Sequence, residues 1–115
     1  MISTVSCKLR EDVSFTEILK ATFPMGSMTG APKYRAMELI EQYENTKRGA
    51  YSGAIGYIDP AGDFDFSVVI RSILYNASNR YLSFMTGSAI TSNAEAEQEY
   101  EECLLKAQAM FSVLK

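Results

Sequence analysis

The chain has 115 residues, the length of one small domain at most. With 47% hydrophobic and 22% charged residues, its composition is that of a folded protein and excludes disordered and collagen-like classes. A net charge of −3 gives no reason to expect nucleic acid as a partner, and the lack of histidine excludes a Ser-His-Asp triad and a histidine-ligated metal. No apolar run approaches the ~20 residues that cross a bilayer, and no signal peptide pattern opens the chain, so we expect a cytoplasmic protein without membrane contact.

The N-terminal half predicts one strand and two helices. Residues 2–9 alternate in polarity and are rich in β-branched types, which is typical of a strand. Ser14 and Glu17 have the spacing of a capping box, which predicts a short helix that ends just before the next proline. A loop of small residues follows at 24–33, and the apolar spacing then predicts a second helix over about 32–46.

The C-terminal half predicts three strands and a long helix. Strand patterns occupy about 50–58, 64–75 and 80–86, with turn clusters between them, so an antiparallel meander is the simplest arrangement. A second capping box at 92–95 predicts a helix that continues to about Leu114. This order of elements predicts an α+β fold in which helices pack on an antiparallel sheet.

The last predicted helix carries acidic side chains beside its apolar face. At about 100° per residue, one stripe of apolar and small residues is expected to face the core: Ala96, Tyr100, Cys103, Ala107, Met110, Phe111 and Leu114. Three glutamates and a lysine line one flank of that stripe: Glu95, Glu99, Glu102 and Lys106. Carboxylates so spaced repel one another, and a cation such as Mg²⁺, which binds carboxylates and water, would relieve the repulsion. The alternative is a solvated acidic face, stabilised by the helix dipole and a Glu102–Lys106 pair.

Three further features point to an anionic ligand. The loop at 26–31 precedes a predicted helix start, where unpaired N–H groups can hold an anion, although small residues also serve ordinary turns. Small residues at 86–89 end a predicted strand and allow a ligand close to the backbone. Arg71 stands in an aliphatic strand pattern and needs a partner, either a substrate carboxylate or a structural salt bridge. Together these features describe a site for an anionic small molecule and a divalent cation.

Several motifs, taken in order, resemble those of chorismate-utilising enzymes. They are 23–33 (FPMGSMTGAPK), 35–38 (RAME), 53–57 (GAIGY), 69–72 (VIRS) and 97–102 (EQEYEE), followed by Lys106. The resemblance covers essentially the whole chain and is nearer to the aminodeoxychorismate synthase branch than to the anthranilate synthase branch. It implies that residues 1–115 form the C-terminal portion of a chorismate-binding α/β sandwich, without the N-terminal portion.

The resemblance also assigns roles to individual residues. It implies that Glu99 and Glu102 hold Mg²⁺ and that Lys106, one turn later, is a catalytic residue facing the substrate. Chorismate is expected to contact seven residues: Ser27, Thr29, Tyr57, Arg71, Gly87, Ser88 and Ala89. At 87–89 the family usually has three glycines, whose amides bind carboxylate. Here the amides remain, and the added Cβ atoms narrow the site.

The reaction implied by the resemblance replaces the 4-hydroxyl of chorismate by ammonia, giving 4-amino-4-deoxychorismate for para-aminobenzoate and folate biosynthesis. A glutamine amidotransferase partner would supply the ammonia. The nucleophilic lysine of that reaction and another Mg²⁺ glutamate belong to a segment missing here, so the chain alone is expected to be inactive. The alternatives are a fragment of anthranilate synthase component I, which aminates another ring position and releases pyruvate, and a non-catalytic module that binds an anion or a partner. Open sheet edges and an exposed apolar face would favour a homodimer.

Overall fold

The computed structural model describes residues 4–114 and confirms the α+β class. Four helices lie in this range: α1 Phe15–Thr22, α2 Gly26–Thr29, α3 Lys33–Tyr43 and α4 Ala96–Val113. The same range contains four strands: β1 Ala54–Ile58, β2 Phe64–Val68, β3 Leu74–Asn76 and β4 Tyr81–Ser83. Among residues 4–114, none of the helices combines the length and apolar character that crossing a bilayer requires.

Helix α1 begins at the predicted capping box. The Ser14 N–H donates to Glu17 Oε2 at 2.8 Å, and the Glu17 N–H donates to Ser14 Oγ at 3.3 Å, so two amides without helical partners are satisfied. Hydrogen bonds from the Ser14 hydroxyl and amide lower the pKa of the Glu17 carboxyl. The Phe15 ring lies 4.9 Å from that of Phe64 and 5.4 Å from that of Phe66, measured between centroids. This aromatic contact seats α1 on the β1–β2 hairpin.

The strands form two separate antiparallel hairpins, so the single predicted meander is wrong. β1 pairs with β2, with Ala54 facing Val68, and β3 pairs with β4 in a second sheet. The predicted strand over 64–75 is interrupted, and Arg71 lies in the interruption rather than within a strand. The backbone φ of Arg71 is 52°, in the left-handed region, which is incompatible with an extended strand. The chain therefore turns away before β3 begins.

The start of the predicted strand over 50–58 is a turn followed by a β-bulge. The Ser52 N–H donates to the Val69 carbonyl at 2.9 Å, and the Val69 N–H donates to the Gly53 carbonyl at 2.9 Å. Two residues thus face one across the ladder, and Ser52 has a φ of 64°. Ser52 and Val69 are also the two buried residues within 4–114, at 5% and 9% exposure. The most enclosed point of the described chain is therefore the bulge where β2 ends.

The first predicted strand is not formed where the structure can be described. Residues 4–9 have no regular structure, and Val5 is 92% exposed; the remainder of the predicted strand lies outside the described residues. None of the four strands within 4–114 pairs with this segment. Strand propensity mainly reflects packing against neighbours, so an alternating sequence without a partner strand stays irregular.

The later helices lie where the sequence predicts them, but their ends differ. α2 is a single turn inside the predicted loop at 24–33. α3 begins after Pro32, which occupies the N-cap position rather than the first helical position, and ends before the predicted limit. α4 has Glu95 as its N-cap without a side-chain hydrogen bond, so the capping box predicted from Ser92 is wrong. A Ser-to-Glu spacing of three caps a helix only when the serine is the N-cap residue, and here the N-cap is Glu95.

Large apolar side chains remain exposed on both hairpins and on α4. Ile55 is 66% exposed, Leu105 66% and Phe111 56%. Exposed apolar surface of this kind, where it is contiguous, usually meets another protein surface. The homodimer expected from the sequence stays a prediction.

Candidate functional site

Five of the predicted site residues meet at one face of α4. We call them the α4 cluster: Gly87, Ser88, Glu99, Glu102 and Lys106. The Ser88 hydroxyl is in hydrogen-bond contact with Glu99 Oε2 and lies 2.9 Å from Glu102 Oε2. Lys106 Nζ lies 2.7 Å from Glu102 Oε1 and donates to the Gly87 carbonyl at 2.9 Å. Residues predicted from one helix and one distant segment are therefore joined by hydrogen bonds.

Two structural features produce the α4 cluster. Helical spacing places Glu99, Glu102 and Lys106 on one face of α4, since side chains three and four residues apart are neighbours. The segment 84–91 follows β4 without regular structure. Its Phe84 ring packs edge-to-face on Phe111 of α4, with centroids 5.2 Å apart. That contact anchors the segment to the helix.

The two carboxylates of the α4 cluster share contacts with the hydroxyl of Ser88. A hydroxyl has a single hydrogen, so Ser88 can donate to only one of the two glutamates at a time. The hydrogen bond from Lys106, and then that from Ser88, lowers the pKa of the Glu102 carboxyl. Glu102 is therefore ionised at neutral pH. Its carboxylate lies next to the Ser88 hydroxyl oxygen, which Glu99 also contacts. A cation at this point would be attracted to both carboxylates.

The oxygen atoms of the α4 cluster fit Mg²⁺. This ion is commonly bound by one or two carboxylates and completes its octahedral shell with water or substrate oxygens. Glu99 and Glu102 supply two carboxylates that converge on one atom. Within 4–114 there is no group of three or more acidic or cysteine side chains that could hold a metal, and the role of Glu99 and Glu102 as Mg²⁺ ligands stays a prediction.

The face of α4 that packs against the rest of the chain differs from the predicted apolar stripe. It is rotated toward the side that carries the α4 cluster. The less exposed residues of the helix include Glu99, Cys103 and Met110, whereas Tyr100, predicted in the stripe, is 61% exposed. Glu95, predicted on the same flank, accepts a hydrogen bond from Gln98 at 2.8 Å instead. The segment 84–91 lies along the charged flank, so that flank is partly covered while Tyr100 faces outward.

The other predicted substrate contacts make no hydrogen bond to the α4 cluster within residues 4–114. They are Ser27, Thr29, Tyr57, Arg71 and Ala89. The Thr29 hydroxyl donates to the Met25 carbonyl at 3.1 Å, within its own turn. Tyr57 is 65% exposed on β1, and Arg71 is exposed without an ion-pair partner among residues 4–114. Their substrate-binding roles stay predictions.

Two residues that the sequence reasoning did not assign to the site lie between the small-residue loop and the α4 cluster. Arg48 donates from Nη1 to the Met28 carbonyl at 2.9 Å. The Tyr51 hydroxyl lies against Gly87, where a side chain would place its Cβ 2.7 Å from that oxygen. In the sequence, a basic pair followed by glycine indicates only the end of a helix. No feature of the local sequence indicates that these residues contact segments 20 or more residues away.

Comparison with known proteins identifies relatives along the whole chain. A family model described as chorismate binding enzyme matches residues 1–112. The chain is 39% identical over 115 residues to anthranilate synthase component 1 of Aquifex aeolicus, covering 100% of this chain and 23% of that protein. It is 41% identical over 114 residues to aminodeoxychorismate synthase of Streptomyces griseus, covering 99% and 16%. It is 42% identical over 109 residues to the chloroplastic aminodeoxychorismate synthase of Arabidopsis thaliana, covering 95% and 12%. The chain spans less than a quarter of the length of these relatives.

Proposed function

Since this chain belongs to the chorismate-binding enzyme family, we propose that it contributes the Mg²⁺ ligands and part of the chorismate site to an enzyme that aminates chorismate. The observation that carries the proposal is the convergence of Glu99 and Glu102 on Ser88, with Lys106 alongside. Two carboxylates that contact the same hydroxyl oxygen are close enough together to bind one cation. The ammonium group of Lys106 beside them attracts an anionic substrate.

The first candidate reaction is the replacement of the 4-hydroxyl of chorismate by ammonia, giving 4-amino-4-deoxychorismate. It is supported by relatives named aminodeoxychorismate synthase at 41% and 42% identity. In this proposal a glutamine amidotransferase partner supplies the ammonia. The enzyme would belong to para-aminobenzoate and folate biosynthesis.

The second candidate reaction is that of anthranilate synthase component I. A relative of that name is 39% identical over the entire chain. Amination then occurs at another ring position and pyruvate leaves. Both candidates use the same substrate, so the α4 cluster serves either one.

The α4 cluster suits the holding of an anionic substrate beside a metal. Bound to Glu99 and Glu102, Mg²⁺ would act as a Lewis acid toward a substrate oxygen. Lys106 has three N–H donors, and the contacts with Glu102 and Gly87 use two of them. We propose that the third N–H reaches an oxygen of chorismate, which makes Lys106 the catalytic residue of this part of the site.

We propose that chorismate also contacts Tyr57, Arg71 and three further residues, Ser27, Thr29 and Ala89. Arg71 and Tyr57 are exposed, so a substrate carboxylate can reach the guanidinium and the phenol without displacing a partner. Ser27 and Thr29 would bind from α2, and the backbone at Ala89 would extend the contacts of 87–88. An arginine fork recognises a carboxylate through two parallel hydrogen bonds.

The experiment uses the intact protein that contains this chain, with chorismate, ammonium and Mg²⁺, and separates the products by liquid chromatography and mass spectrometry. Aminodeoxychorismate supports the first candidate, and anthranilate with pyruvate supports the second. Glu102→Gln is expected to abolish the Mg²⁺-dependent reaction. Glu97→Gln, on the same helix but outside the α4 cluster, is the matched control and is expected to retain it. No consumption of chorismate, or full activity of Glu102→Gln, would overturn the proposal.

A further inference from the structure

Arg48 is held in place by contacts on two sides. Its Nε lies 2.8 Å from Glu44 Oε2, and its Nη2 pairs with Glu44 Oε1, so the pair is bidentate. The same guanidinium donates to the Met28 carbonyl at 2.9 Å. The Arg48 side chain is 23% exposed, whereas that of its neighbour Lys47 is 82% exposed. Hydrogen bonding to Arg48 lowers the pKa of the Glu44 carboxyl, so the pair remains charged at neutral pH.

Tyr51 continues this set of contacts to the α4 cluster. Its ring centroid lies 6.0 Å from Cζ of Arg48, the outer limit of a cation–π contact. Its hydroxyl occupies the space next to Gly87, and the Gly87 carbonyl accepts the hydrogen bond of Lys106. A continuous series of contacts therefore runs from Met28 to Lys106.

We propose that Arg48 and Tyr51 are positioning residues that fix the segment 25–30 relative to the α4 cluster. The chorismate readouts used to test this inference rest on the proposed function. Arg48 holds the turn that presents Ser27 and Thr29, and Tyr51 sets the position of Gly87 next to Lys106. Neither residue is placed in contact with substrate or metal, so they act through the groups they hold. Both sides of the site then depend on one short segment, 48–51.

The contact between Tyr51 and Gly87 can be tested by asking whether a substitution at Tyr51 compensates for one at Gly87. A Cβ on residue 87 would lie 2.7 Å from the Tyr51 hydroxyl oxygen, closer than non-bonded atoms approach, but 3.6 Å from Cζ, an ordinary contact. Gly87→Ala should therefore displace the segment or the ring. Removal of the hydroxyl by Tyr51→Phe leaves room for the new methyl group. Tyr51→Phe should thus repair the defect caused by Gly87→Ala.

The compensation is measured by steady-state kinetics of the intact protein with chorismate and Mg²⁺. Gly87→Ala is expected to lower kcat/KM by roughly 10- to 100-fold, the scale of a misplaced binding group. The double variant Tyr51→Phe/Gly87→Ala is expected to have a kcat/KM at least about threefold higher than that of Gly87→Ala, because contacting residues are not additive. A double variant no better than Gly87→Ala would overturn the assignment of Tyr51.

The role of Arg48 is tested by comparing Arg48→Ala with the control Lys47→Ala. Lys47 forms an exposed ion pair with Glu41 and does not contact Met28, so the control removes only that ion pair. Arg48→Ala is expected to raise KM for chorismate about tenfold with little change in kcat, the signature of lost binding rather than lost chemistry. It should also speed amide hydrogen exchange in the peptide 25–31, and Lys47→Ala should change neither quantity. Equal KM and equal exchange in the two variants would overturn the assignment of Arg48.

The two measurements separate this inference from the proposed function. If the wild type does not consume chorismate, the proposed function fails, while the exchange of peptide 25–31 still tests Arg48. Thermal unfolding of the Gly87→Ala and double variants tests the contact of Tyr51 in the same way. A midpoint lowered by Gly87→Ala and restored by Tyr51→Phe supports the contact, and no restoration contradicts it.

Discussion

Gly56 in the middle of β1 is the position where the smallest change should have the largest structural effect. It faces Phe66 across the β1–β2 ladder. A Cβ at this position would lie 2.1 Å from the Asp65 carbonyl oxygen and 2.6 Å from Cγ of Phe66. The nearest atom belongs to the backbone, so the clash cannot be relieved by rotating a side chain. Gly56→Ala must push the two strands apart.

The cost of Gly56→Ala follows from this geometry. Overpacking by a methylene group typically costs 1–3 kcal/mol, and a clash with backbone belongs at the upper end, about 3 kcal/mol. That is roughly a hundredfold increase in the equilibrium constant for opening the hairpin. Tyr57 follows Gly56 directly, so the displacement also moves a proposed substrate contact. We therefore expect a loss of local stability together with a higher KM for chorismate.

Amide hydrogen exchange of the peptide 54–68 in the intact protein measures the opening constant directly. The matched control is Gly26→Ala, because a Cβ on Gly26 of α2 meets nothing within 4 Å. Alanine in that helix should be neutral or slightly stabilising. Exchange in Gly56→Ala that equals the wild type would refute the close approach of β1 and β2.

Three other results are expected. Because the folded pKa of Glu102 is lower than the ordinary value of 4.5, its contacts stabilise the α4 cluster above about pH 4.5, and that stabilisation is lost as the pH falls through the lowered pKa. Lys106→Met should raise this pKa toward 4.5, as followed by NMR of the carboxyl carbon; an unchanged pKa would exclude the lysine as its cause. Glu99→Gln should raise the Mg²⁺ concentration for half-maximal activity at least about tenfold, whereas Glu97→Gln should not; equal values would remove Glu99 from the metal site. Residues 1–115 alone should form no aminated chorismate and should self-associate in light scattering; an active monomer would contradict both expectations.

The part of the site that was predictable from sequence is the part that depends on one regular element. The spacing of Glu99, Glu102 and Lys106 places them on one side of any helix, whatever surrounds it. A resemblance in motif order pointed to the same residues. The shared helical face depends only on local sequence and is confirmed by the described structure, whereas the roles that the resemblance implies stay predictions.

The errors arise where structure depends on distant partners or on single backbone torsions. The run of aliphatic residues around Arg71 predicts one continuous strand, since nothing in its side chains reports a left-handed torsion. Residues 2–9 have strand composition, but composition does not supply a partner. Arg48 and Tyr51 have the local appearance of a helix end, and only the fold brings them to Met28 and Gly87.

Ser88 shows how a departure from a family pattern can be accommodated. Among 87–89, where the resemblance implies three glycines, it is the residue whose side chain contacts the two carboxylates of α4. A glycine at this position would remove the hydroxyl that both carboxylates contact and leave Glu102 with Lys106 as its donor, while the backbone amide would be unchanged. The substitution therefore keeps the group that would bind a carboxylate and adds a hydroxyl where the two negative charges converge. The departure lies at the proposed metal site and is compatible with its chemistry.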